Sequence, residues 1–357
     1  MTQPRGSSMN CYGLGERVRA FSDALRRAVS DSGGRLLAIA HKNADPDAVA
    51  SALVLASIAK KHAKAFRVAV GFPEGVNQAS KRLLSKIALD EDIAITSSPS
   101  ELEAGKWAVV VVDAASAKQL GEFAGLIADG GYLLVDHHST NSLVGGALSA
   151  LYDPGEPSAS ELVYLLAVCG FGASLEKWEA TLLLTGIIYD TRHLVLAKPR
   201  TLRVAADIVD GGVSLQEVVK LLQSEGPSIS ERIARLKAAK RMHVYRIDNT
   251  LVAVTRVGAF EGSAARAMLD LGADVAIAVS QQGAESRVIG RARSEALGKL
   301  GIDLGKFMEM VSARSGGGHA QAAGAVVRGS PEEVIAKIVD ALRALAKSRG
   351  YNLEAVV

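Results

Sequence analysis

The chain has 357 residues, 48% hydrophobic and 22% charged, with a formal net charge of +3. That length fits two ordinary domains with filled cores. The small net charge excludes a protein built chiefly for duplex binding, and 4% aromatics exclude a long stacking platform for single strands. Cys11 and Cys169 form no CxxC pair, so neither a disulfide framework nor a thiolate zinc site is expected. No apolar run approaches the ~18 residues of a membrane span. The N-terminus lacks the basic-then-apolar order of a secretion signal, so a cytoplasmic protein is expected.

Residues 1–15 read as a flexible N-terminus. A helix follows over 16–29, with Val18, Phe21, Leu25 and Val29 on one face. Short runs then alternate with helical patterns: RLLAIA (35–40), FRVAV (66–70), IAIT (93–96), WAVVVV (107–112) and YLLV (132–135). They are apolar throughout, as strands covered on both faces should be, and predict a parallel sheet with helical crossovers. Residues 158–222 read as mostly helical, opened by Ser158 and Glu161 at capping-box spacing. SEGPSIS (224–230) has linker composition, and ERIARLKAAKRM reads as a basic linker helix with a solvated face. Beyond it, YRIDNTLVAVT predicts a hairpin turning at Asp248–Asn249. ADVAIAVS, SRVIGRAR and AAGAVVR read as strands, and DLGKFMEMVSA and residues 331–347 as helices. The expected organisation is an α/β catalytic domain at 16–223, a linker at 224–244 and a smaller α/β domain at 245–350.

In open α/β sheets, ligands bind beyond the carboxyl ends of the strands. His41, Asp45 and Asp47 follow the first apolar run, Asp113 follows WAVVVV, and Asp136, His137 and His138 follow YLLV. Asp190 ends the apolar segment TLLLTGIIYD. Singly these have bland roles: Asp47 as a helix N-cap, Asp113 as a turn residue, the histidines as satisfied by backbone. Together they bring several carboxylates to one sheet edge, with no Lys or Arg within WAVVVVD or YLLVDHH. Such carboxylates repel one another unless a cation joins them. Oxygen-rich ligands with a few imidazoles suit Mn²⁺, or Mg²⁺ or Co²⁺, better than structural zinc. A pair of ions ~3.5–4 Å apart stabilises both entering and leaving oxygens at phosphorus and supplies hydroxide near neutral pH.

HKNADPDAVAS, VVVVDAAS, LLVDHHST and TGIIYDTRHL stand in the order and spacing of the four motifs of the DHH phosphoesterases, which this chain resembles. SGGGHAQAAGA resembles the glycine-rich signature of their DHHA1 domain. The likeness spans 16–348 and is nearest the oligoribonuclease and pAp-phosphatase branch. It implies a DHH domain joined by a linker helix to a DHHA1 domain, with the active site in the cleft between them. It also implies one Mn²⁺ on His41, Asp45 and Asp113 and a second on Asp47, Asp113, His137 and Asp190. Asp136 would orient the neighbouring histidine, and His138 would meet the scissile phosphate. Two departures stand out. Ala44 and Pro46 occupy the intervening places of the usual Asn-Pro-Asp-Gly-Asp, and Arg192-His193-Leu194 replaces the usual Gly-x-Phe after Asp-Thr. The second bears on substrate choice. His193 is a candidate contact, or with Arg192 a surface turn.

In the second domain, Arg287, Arg291 and Arg293 would share one strand face, which an anion would relieve. Gly316, Gly317 and Gly318 exceed the need of a helix C-cap and would let backbone N–H groups approach an anion. Arg293, Ser294, Gly317, Gly318 and His319, with Arg314, are therefore expected to grip the non-scissile end of a short oligonucleotide or nucleotide. The leading expectation is a two-metal hydrolase of very short oligoribonucleotides or pAp-like nucleotides. A cyclic-dinucleotide phosphodiesterase, a RecJ-like exonuclease, a polyphosphatase or pyrophosphatase, and a non-catalytic adaptor stand as alternatives. A homodimer is compatible with the sequence.

Overall fold

The computed structural model describes residues 11–356 except 89, 224–225, 297–300, 302 and 313–314. Arg314, residues 1–10 and the first two linker positions lie outside that set. The chain divides into two compact units, Met1–Ser224 and Glu225–Val357. Among the described residues, no helix is long and apolar enough to cross a membrane.

The first unit begins with α1 (Gly15–Asp31), whose Val18, Phe21, Leu25 and Val29 are buried together. Then come β1 (Arg35–Ile39), α2 (Pro46–His62), β2 (Arg67–Gly71), α3 (Gln78–Leu84), β3 (Ile93–Thr96), β4 (Ala108–Val112) and β5 (Tyr132–Asp136). A short strand not expected from the sequence, β6 (Ser149–Tyr152), completes a parallel sheet of order β3-β2-β1-β4-β5-β6. Alternate residues feed two cores. Leu36, Ala38, Val110 and Val135 pack with α1 and α2, while Leu37, Ile39, Val111 and Leu134 pack with Leu120, Phe123 and Ile127. The runs are apolar throughout for this reason. Sheet growth reverses between β1 and β4, so the carboxyl ends of these neighbours flank a switch point.

The helical section comprises α4 (Ala159–Leu165), α5 (Lys177–Asp190), α6 (Pro199–Asp210) and α7 (Leu215–Leu222). Ser158 caps α4 by accepting from the Glu161 N–H. The Glu161 carboxylate, however, does not reach back to complete a box; it meets Arg200 at 2.9 Å, because a guanidinium is the stronger partner for a buried acid.

The second unit opens with α8 (Ile229–Arg241), which packs through Ala238 into a core of small residues including Ala253, Ala264 and Ala276. The hairpin β7 (His243–Ile247) and β8 (Thr250–Val257) turns at Asp248, whose φ is 50°. α9 (Glu261–Asp270) crosses to β9 (Val275–Gln282), the parallel neighbour of β8, and β10 (Glu285–Ala292) returns antiparallel. α10 (Leu304–Ser312), β11 (Gly316–His319), β12 (Ala322–Arg328), α11 (Pro331–Ser348) and β13 (Leu353–Ala355) follow. The sheet order is β11-β12-β10-β9-β8-β7-β13. The glycine run is thus an edge strand paired with β12. A Cβ on Gly316 would meet the Met308 carbonyl oxygen at 2.2 Å, and one on Gly318 the Ala322 oxygen at 2.6 Å, so packing demands both glycines. Gly317 has open space where its Cβ would be.

Candidate active site

β1 ends one residue before Ala40 and His41, and the chain then turns into α2. Asp45, rather than Asp47, is the N-cap of α2: its Oδ1 accepts from the N–H groups of Asp47 and Ala48, each at 3.1 Å. Pro46 at the first helical position fits the same start. Asp113 directly follows β4 with φ of 53°, a left-handed conformation that Asp tolerates better than most residues. Asp136 is the last residue of β5, and His137 and His138 leave the sheet after it. Asp190 arrives from elsewhere, as the last residue of α5, a helix buried nearly all round.

Three donor groups meet: His41, Asp45 and Asp113; Asp47, His137 and Asp190; and Asp113, His137 and His138, the donor atoms of each lying within 4.8 Å of one another. The His41 Nε2 is 3.8 Å from Asp113 Oδ2 and 3.9 Å from Asp45 Oδ1. The His137 Nε2 is 3.3 Å from Asp113 Oδ1, 3.4 Å from Asp190 Oδ2 and 3.9 Å from Asp47 Oδ2. Asp113 therefore stands between the first two groups.

Each imidazole is fixed by its other nitrogen. The Nδ1 of His41 lies 2.8 Å from the Lys42 carbonyl, and that of His137 3.2 Å from the Glu156 carbonyl. With a cation bound, donation there would leave each Nε2 lone pair free to ligate it. Asp136 is hydrogen-bonded to His138, at 2.7 Å, rather than to the His137 of the donor cluster. Asn141 donates to the same carboxylate at 2.7 Å. Asp47 is fully buried, and its two oxygens accept from the N–H groups of Ala159 and Ser160 at the start of α4, at 2.7 and 2.9 Å. Gly186 permits this approach: a Cβ there would lie 2.1 Å from Ser160 Oγ and 2.7 Å from Asp47 Oδ1. An isolated glycine within an apolar helical run was the sequence signal for it. Nothing local marked Asn141.

The electrostatics show a centre short of positive charge. Burial pushes the imidazoles down, yet the carboxylates prevail: Asp45 and Asp113 raise His41 to about 9, and Asp113 and Asp190 raise His137 to about 12. Burial, then Asp190 and Asp113, hold the Asp47 carboxyl well above its usual range. Asp190 is raised too, by burial and by Asp113 and Asp45, against the pull of His137. Burial raises Asp136 as well, but His138 and Asn141 bring it below the ordinary value. Asp136 in turn raises His138. The Asp113 Oδ1 is buried and makes no well-formed hydrogen bond among the described residues, its nearest imidazole nitrogen being the His137 Nε2 at 3.3 Å. An orphaned carboxylate oxygen between two carboxylate–imidazole sets fits divalent cations.

The second-unit candidates are placed differently. Arg287 and Arg291 share the outward face of β10, and Arg293 lies just past its end. The Arg293 guanidinium donates to the carbonyls of Leu269, at 2.5 Å, and Ala273, at 3.2 Å, capping the end of α9. Ser294 accepts from Gln321 at 3.1 Å, and His319 is exposed on the edge strand. In the first unit, Arg192, His193 and Leu194 all have positive φ, of 50°, 59° and 68°. His193 and Arg192 are exposed beside Asp190, in a turn where glycine would be unstrained.

Carboxylates and imidazoles gathered at the switch point of a parallel sheet define a metal-dependent hydrolase. Comparison with known proteins gives the family. The model of the DHH family N-terminal domain matches residues 35–187, and that of the DHHA1 domain residues 250–348. The chain belongs to the DHH/DHHA1 phosphoesterases. An uncharacterized protein of Methanocaldococcus jannaschii is 32% identical over 297 residues, 81% of this chain and 86% of its own. A bifunctional oligoribonuclease and PAP phosphatase of Thermus thermophilus is 27% identical over 347 residues, 94% and 96% of the two chains. The crystal structure of an exopolyphosphatase-related protein from Bacteroides fragilis shares the fold, with a TM-score of 0.54 at 18% identity, covering 92% of this chain and 97% of that one.

Proposed function

We propose that this phosphoesterase hydrolyses short, phosphate-rich nucleotides, namely very short oligoribonucleotides and pAp-like nucleotides, using two divalent cations, Mn²⁺ in preference to Mg²⁺ or Co²⁺. The observation that carries the metal reading is Asp113, whose buried oxygen, without a well-formed hydrogen bond among the described residues, stands between two donor sets. His41, Asp45 and Asp113 would hold one cation, and Asp47, Asp113, His137 and Asp190 the other. Cations held by these residues would supply Lewis acidity toward a phosphoryl oxygen and a lowered pKa for water.

The remaining work falls to this chain's side chains. Asp136 orients His138 and raises its pKa, with Asn141 fixing the carboxylate. The His138 side chain is 38% exposed, against 14% for His137, so it is the imidazole that meets substrate. Its free nitrogen donates to the scissile phosphate and delivers a proton to the leaving oxygen. Substrate phosphates fall to Arg293, Ser294, Gly317, Gly318 and His319, with Arg293 exchanging its α9 carbonyls for the anion. The near full-length likeness to an oligoribonuclease and PAP phosphatase supports this substrate class.

The test is a Mn²⁺-supplemented panel of dinucleotides, pAp, cyclic dinucleotides, long RNA, long DNA and polyphosphate. The highest kcat/KM is expected on dinucleotides or pAp. Preferential processive loss of long strands, or preference for cyclic dinucleotides or polyphosphate, would overturn the substrate assignment.

A further inference from the structure

Arg200, the second residue of α6, has a side chain only 13% exposed, and it gathers groups from three backbone segments. Its Nε donates to Glu161 Oε1 at 2.9 Å. Its Nη2 lies 3.1 Å from Asp153 Oδ2 and 2.6 Å from Glu156 Oε1. Its Nη1 reaches the Tyr12 carbonyl at 3.4 Å. One guanidinium thus faces three carboxylates, two on the loop after β6 and one on α4. Without it, three acids of low exposure would confront one another.

Two of these, the loop after β6 and α4, hold metal-centre residues. The loop's Glu156 carbonyl is the partner of the His137 Nδ1. The first N–H groups of α4 hold both oxygens of Asp47. His137 and Asp47 belong to the donor group completed by Asp190, whereas His41 is fixed by the carbonyl of Lys42, its own neighbour. Resting on the two-cation reading above, we infer that Arg200 is a positioning residue for one of the two metal sites: it locks the loop and helix that aim His137 and Asp47, and leaves the His41–Asp45–Asp113 group to itself. It is a planar fork matched to several carboxylates at once, a geometry lysine cannot reproduce.

The experiment is Mn²⁺ titration of the metal-stripped full chain, followed by calorimetry and by the electron paramagnetic resonance signal of free Mn²⁺. Wild type should bind two equivalents. Arg200→Gln should keep one at wild-type affinity and weaken the other about 10–100-fold, the usual cost of losing a ligand's outer support. Lys61→Met, which breaks an ion pair with the buried Glu179 elsewhere in the unit, controls for lost stability and should leave both equivalents unchanged. If Arg200→Gln does not fold, Arg200→Lys carries the same readout. Two affinities within twofold of wild type, or equal weakening of both, would overturn the inference. Fewer than two equivalents in wild type would overturn the two-cation reading itself, and the role of Arg200 with it.

Discussion

In the first unit Asp47, Asp113 and Asp136 are at most 2% exposed, and Asp47 and Asp136 each accept from several fixed donors. In the second unit Arg293, Ser294, Gly318 and His319 are exposed, and among the described residues His319 has no side-chain hydrogen bond. Burying like charges costs free energy that the surrounding fold must offset, and the return is a constellation that needs no rearrangement for chemistry. The grip proposed for the second unit would instead be open to solvent before an anion arrives. Substitutions in the first unit should therefore alter metal binding, stability and kcat, and those in the second should alter KM.

Asp113→Asn tests that division most severely. Weakening the one carboxylate between both donor sets should lower Mn²⁺-dependent hydrolysis at least ~10³-fold, from several kcal/mol of lost transition-state stabilisation. Turnover above a tenth of wild type in steady-state assays would remove the shared role. Gly186→Ala comes next. Its Cβ overlaps Ser160 and Asp47, so about 1–3 kcal/mol of stability should be lost through overpacking, with weaker Mn²⁺ binding measured alongside denaturant unfolding. For the second unit, His319→Ala should raise KM roughly tenfold, the worth of about 1.4 kcal/mol, with kcat and Tm unchanged. A fall in kcat instead would place His319 in the chemistry and blur the contrast.

Stability should also depend on pH. His41 is raised in the folded, metal-free protein to about 9 from 6.5. Its contribution is complete below pH 6.5 and is lost as pH rises through 9. His137, raised to about 12, extends the decline. Metal-free Tm should therefore fall between pH 6.5 and 9 by roughly 2–4 °C per kcal/mol lost, while saturating Mn²⁺ removes the slope. A metal-free Tm that rises over this window would show that protons do not stand in for cations here.

The parallel sheet was readable because strands covered on both faces leave unbroken apolar runs, as in WAVVVV, and because acids that end such runs must share one edge. Asp190 was readable as the polar end of an apolar helix. What escaped reading was held by distant partners. Glu161 sits at capping-box spacing, but its carboxylate belongs to Arg200, 39 positions away. Asp136 stands next to His137 in the chain yet bonds His138, because a strand-end turn, not adjacency, sets direction. SGGGH carried no strand signal, since glycine lacks strand propensity; its pairing with β12 and the close approach of Met308 and Ala322 are recorded in no local pattern.

Asp45 performs two jobs with one side chain, starting α2 through Oδ1 while facing His41 and Asp113. The helix start therefore does not wait for the ion. A cation arriving later would meet a carboxylate already held in place by two backbone N–H groups.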